Sequence, residues 1–162
     1  MNRKEHTIWT EAFRPDSLEG YIGNDEVTTK IKNYIDSNDI PNILFIGKAG
    51  TGKTTLAKIL VKNINCDYLY VNASDKSGVD FIRTEIIPFA SSIGFNDLKI
   101  VILDEFDFMS PNAMAALRNA METFSKHCRF ILTANYLEKI IDPIQSRCQV
   151  FKIAPPSKKD VA

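Results

Sequence analysis

Cysteine is scarce in this 162-residue chain: Cys66, Cys128 and Cys148, no two of them within five positions of each other. That spacing leaves neither a CxxC redox pair nor a zinc ribbon, and the odd count reads as reduced thiols in a cytosol. An excess of one charge is also missing. Twenty Lys and Arg balance 20 Asp and Glu, so contact with nucleic acid has to come from a local patch. Seven Gly and seven Pro are too few for low complexity, and no internal repeat is present. The apolar runs are strand-sized, which excludes a membrane span, and the charged start Met1-Asn2-Arg3-Lys4-Glu5-His6 leads into no apolar run of signal length. A composition of 44% hydrophobic and 25% charged residues fits one well-packed soluble domain.

Five apolar runs punctuate the chain: Ile43-Leu44-Phe45-Ile46, Tyr68-Leu69-Tyr70-Val71, Ile100-Val101-Ile102-Leu103, Phe130-Ile131-Leu132 and Val150-Phe151-Lys152-Ile153. They are apolar on both faces, as expected of buried parallel strands. Amphipathic stretches over residues 54–64 and 79–93 predict helices, the second kinked or shortened at Pro88. Ser110-Pro111 reads as an N-cap and first helical position for a helix to Phe124. Strand–helix–strand alternation predicts an α/β fold with a doubly wound parallel sheet. Pro155-Pro156-Ser157 resembles a boundary.

Gly47-Lys48-Ala49-Gly50-Thr51-Gly52-Lys53-Thr54 fits G-x-x-x-x-G-K-[ST], with a strand before it and a helix after it. Glycines let backbone N–H groups turn toward phosphate oxygens, and the helix N-terminus adds a favourable dipole. Gly50, Thr51, Gly52, Lys53, Thr54 and Thr55 are the candidate phosphate cradle. Lys53 places its charge on the β- and γ-phosphates, and Thr54 offers a hydroxyl to Mg²⁺. The third run ends in Asp104-Glu105, read as the Mg²⁺ carboxylate followed by the general base. Asn135, at the tip of the fourth run, is placed to contact the lytic water or γ-phosphate. Arg147 precedes the fifth run, across the domain from its own loop. It reads either as a guanidinium serving a neighbouring subunit's phosphates or as a surface Arg capping a carboxylate.

Assembled in order, these segments resemble the ATPase subunits of DNA sliding-clamp loaders, a branch of the AAA+ P-loop NTPases. The words are Phe13-Arg14-Pro15, the phosphate loop, Val71-Asn72-Ala73-Ser74-Asp75, Asp104-Glu105-Phe106-Asp107, Ala116-Leu117-Arg118-Asn119-Ala120-Met121-Glu122, Thr133-Ala134-Asn135 and Ile144-Gln145-Ser146-Arg147-Cys148. Replication factor C small subunits carry similar words. The Asp-Glu-Phe-Asp box and Pro88-Phe89-Ala90-Ser91 look closer to the large loader subunit of T4-type bacteriophages. The resemblance implies a three-layer AAA+ domain with a five-stranded parallel sheet over residues 1–154, and the start of a lid over 155–162, with lid and collar absent. It implies ATP and Mg²⁺ as cofactors, and an adenine-binding strip at Thr10, Glu11, Ala12, Phe13 and Ile22. It also implies a hetero-oligomeric ring, expected to be a pentamer, acting on a sliding clamp and primer–template DNA in the cytoplasm, a host's if the chain is viral. Lys76 and Arg83 are the DNA-phosphate candidates, and Arg118 resembles a central-helix Arg linking DNA to the acidic box. Two alternatives stand beside this: a truncated domain that binds nucleotide without loading, and another AAA+ DNA-remodelling ATPase.

Overall fold

Each of the five apolar runs forms a strand in the computed structural model, which describes residues 25–76 and 78–154. The strands are β1 (Ile43–Ile46), β2 (Asp67–Asn72), β3 (Lys99–Asp104), β4 (Cys128–Ala134) and β5 (Gln149–Lys152). They form one sheet in the order β2-β3-β4-β1-β5, every pair parallel. The carboxyl ends of β1, β3 and β4 therefore open side by side on one edge, where open α/β sheets bind ligands.

Helices α1 (Asp25–Ser37), α2 (Lys53–Asn63), α4 (Pro111–Thr123) and α5 (Asp142–Ser146) accompany the strands. A composite helix, α3, opens as Val79–Phe81, widens into a π turn over Ile82–Ile86 and closes as Ile87–Ser91. Alternate residues of one strand feed opposite faces of the sheet. Ile43 and Phe45 pack with Val27, Ile31, Leu56 and Leu60 from α1 and α2. Leu44 and Ile46 pack with Ile82, Ile86, Leu117 and Ile144 from α3, α4 and α5. Two cores on one sheet make the expected three layers.

Two expectations need correction. The outer strands are not buried on both faces: β2 alternates, with Tyr68 and Tyr70 exposed, because it has only β3 beside it. On the other edge Phe151 is the one buried residue of β5. The helix expected to reach residue 93 stops at Ser91, leaving Ile93 and Phe95 fully exposed. The π turn lies just before Pro88, whose ring would strike the carbonyl four residues back in a regular helix. The N-cap at Ser110 forms as read: its side chain accepts the Ala113 N–H at 3.2 Å.

The adenine strip (residues 10–13 and Ile22) and residues 155–162 lie outside the described residues. Among the described residues no helix is long and apolar enough to cross a membrane.

Candidate nucleotide site

The phosphate loop leaves β1 and turns directly into α2. Gly50 and Gly52 adopt φ of 80° and 91°, the left-handed region that costs a side chain dearly. Gly47 is needed for space: a Cβ there would lie 2.5 Å from the Ile153 carbonyl oxygen. Thr51 is buried and donates its hydroxyl to the Lys48 carbonyl at 2.8 Å, bracing the turn. Thr55 is half-buried in the first turn of α2.

Lys53 is buried, and its Nζ donates to the carbonyls of Gly47 (2.6 Å) and Lys48 (2.8 Å) and to Asn135 Oδ1 (3.0 Å). Two sequence candidates from β1 and β4 thus meet. Burial lowers the Lys53 pKa, an effect opposed by the charges of Asp104, Asp107 and Glu105. A positive charge short of solvent and hydrogen-bonded to neutral oxygens is a ready partner for a polyanion.

Asp104 is the buried end of β3. Its Oδ1 accepts the Thr54 hydroxyl at 2.9 Å and also the Thr133 hydroxyl. Its Oδ2 accepts the Tyr70 hydroxyl at 2.7 Å. Thr54 and Asp104 thus present adjacent hard oxygen donors, the set that Mg²⁺ takes together with phosphate oxygens. Glu105 follows with its side chain exposed and its backbone left-handed at φ 54°, a strain that concentrates at functional sites. Its N–H is held by Thr133 Oγ1 at 3.1 Å.

Sequence reasoning missed three participants. Thr133 ties Asp104 to the Glu105 backbone, and Tyr70 reaches Asp104 from the neighbouring strand. Asp107 Oδ2 accepts the N–H groups of Asn135 (3.1 Å) and Tyr136 (3.3 Å), fixing the strand tip that meets Lys53. Thr133 and Asp107 left a signal, each as a member of one of the family words, and Tyr70 left none.

The other candidates lie elsewhere. Arg147 stands just before β5, at the amino edge of the sheet, while the phosphate loop leaves the carboxyl edge. The four residues of β5 separate those edges by roughly 13 Å. Its guanidinium pairs with Glu122, in the last turn of α4, and donates to the Pro143 carbonyl at 2.9 Å. The hydrogen bond from Arg147 to Glu122 and the charge of Arg147 lower the Glu122 pKa. Lys76 is ion-paired with Glu85 at 2.9 Å, and Arg83 is exposed within the π turn of α3. Arg118 is half-buried on α4, and its Nε is enclosed without a hydrogen-bond partner among the described residues.

A strand–loop–helix phosphate cradle beside an Asp-Glu strand end, on a β2-β3-β4-β1-β5 sheet, defines a P-loop nucleotide-binding domain. The chain belongs to the ATPase family associated with various cellular activities (AAA), whose profile matches residues 43–155. It is 46% identical over 154 residues to the replication factor C small subunit of Natronomonas pharaonis, covering 91% of this chain and 47% of that protein. The corresponding protein of Archaeoglobus fulgidus is 44% identical over 159 residues, covering 94% and 50%. The chain thus spans about half the length of these relatives. Among solved structures it resembles the RuvB Holliday junction branch migration motor of Thermotoga maritima, with a TM-score of 0.76 and 19% identity over 91% of this chain and 51% of that one. At that identity the likeness is one of fold.

Proposed function

We propose that this chain is the nucleotide-binding part of an ATP-hydrolysing clamp-loader subunit, which opens a sliding clamp and places it on primer–template DNA during replication. The observation that carries the reading is the meeting of Lys53 with Asn135 beside the Thr54–Asp104 pair, in a chain over 40% identical to replication factor C small subunits. Lys53 binds the β- and γ-phosphates, and Asn135, held by Asp107, orients the water or γ-phosphate. Thr54 and Asp104 would hold Mg²⁺, which would supply charge neutralisation at the phosphate oxygens. Glu105, exposed at the strand tip, accepts the proton of the attacking water.

Arg147 belongs to a neighbour's site in this reading, because its edge of the sheet is remote from its own loop. Lys76, Arg83 and Arg118 remain the DNA-side candidates, in a ring of loader subunits, a pentamer by family likeness, working in the cytoplasm. The words Asp104-Glu105-Phe106-Asp107 and Pro88-Phe89-Ala90-Ser91 support a place near the phage large subunit.

Steady-state ATP turnover, measured with and without clamp, primer–template DNA and partner subunits, tests the assignment. Turnover should rise on assembly, and Glu105→Gln should keep nucleotide binding while suppressing hydrolysis. Turnover by Glu105→Gln at the wild-type rate in an active assembly would remove Glu105 as the base.

A further inference from the structure

We propose that Tyr70 is a positioning residue for the metal-binding carboxylate of Asp104. This rests on the assignment of Mg²⁺ to Thr54 and Asp104 above. Tyr70 stands on the edge strand β2 opposite Ile102 of β3, and Asp104 lies two residues further along the same strand. Side chains two apart on a strand share a face, so the tyrosine leans along the sheet toward the carboxylate. Its hydroxyl donates to Asp104 Oδ2 at 2.7 Å, while Thr54 and Thr133 both donate to Oδ1.

The two carboxylate oxygens therefore have separate partners. Oδ2 is tethered to β2, and that tether turns Oδ1 toward Thr54, the other metal donor. The ring is braced from the opposite side: Lys58 Nζ, on the helix that follows the phosphate loop, lies 5.1 Å from its centroid. Tyr70 thus joins β2, β3 and α2 at the metal corner. With 39% of its surface exposed, it has limited packing to contribute, whereas its hydroxyl addresses a buried carboxylate. Hydrogen bonds that orient ligating carboxylates commonly govern metal affinity by ten- to a hundredfold.

The test titrates Mg²⁺ against the affinity of the chain for a fluorescent, non-hydrolysable ATP analogue. Tyr70→Phe keeps the ring and removes one hydroxyl. It should raise the Mg²⁺ midpoint about tenfold, leaving binding in EDTA unchanged. Asp104→Asn should shift the Mg²⁺ midpoint as well, and adding Tyr70→Phe to it should then have no further effect. A midpoint moved by Asp104→Asn but not by Tyr70→Phe would overturn the role of Tyr70 alone. Wild-type binding indifferent to Mg²⁺, or a midpoint unmoved by Asp104→Asn, would overturn the metal site and the role of Tyr70 with it.

Discussion

At the scale of single residues, Lys53 joins fold and chemistry. Its ammonium bridges two loop carbonyls and Asn135, so the group proposed to meet phosphate also closes the loop. Lys53→Ala removes a charge-assisted contact of about 1.5–3 kcal/mol, so ATP affinity should fall at least about tenfold. Equilibrium binding of a fluorescent ATP analogue measures this, and unchanged affinity would remove Lys53 from the site. The cysteines make a second residue-scale prediction. Burial pushes the thiols of Cys128 and Cys148 up to about 12 and that of Cys66 to about 11. A raised thiol pKa keeps the reactive thiolate rare at neutral pH, by about tenfold for each unit. All three should react with a disulfide reagent far more slowly in the native protein at pH 8 than in urea, which a thiol assay reads directly.

At the scale of elements, the caps and closures set local stability. Ser110 accepts the Ala113 N–H at the start of α4, the helix that carries Leu117, Arg118 and Glu122. Ser110→Ala should cost about 1 kcal/mol in urea unfolding. The end of α3 depends on a partner from another element: buried Lys99, at the start of β3, donates to the Phe89 carbonyl at 2.9 Å and to Ser92 Oγ at 2.7 Å. Lys99→Met should cost more than Ser110→Ala, about 1–3 kcal/mol, because it removes the hydrogen bonds of a buried ammonium to the end of α3. Equal or smaller loss would show that water replaces the ammonium there.

These elements also show what was legible in the sequence. The Ser110 cap, the five strands and the phosphate loop are written in local residue order, so short-range patterns reveal them. Lys99, Tyr70 and the exposed faces of β2 were not legible. Each depends on which strand lies at the sheet edge and which helix ends beside it, and only the fold decides that. The pairing of Lys53 with Asn135, 82 positions apart, could be expected only through the family resemblance that carries both segments.

At the scale of the whole molecule, the parallel sheet separates two groups of candidate residues. The carboxyl edge gathers Lys53, Thr54, Asp104, Glu105 and Asn135, and the amino edge holds Arg147 against Glu122. If subunits meet with one edge against the next, each Arg147 serves a neighbour's phosphates, and no chain completes its own site. Because such an arginine acts on the transition state, Arg147→Ala should leave ATP binding by the isolated chain nearly intact. Hydrolysis in the assembled loader should fall by about 10³-fold or more. The most direct measurement mixes subunits: Arg147→Ala with an intact phosphate loop is placed beside Lys53→Ala with an intact arginine, in both orders around the ring, and ATP turnover is read. The account predicts a rate that depends on which neighbour carries which change. Equal loss in both orders, or a wild-type rate from a ring made wholly with Arg147→Ala, would contradict it.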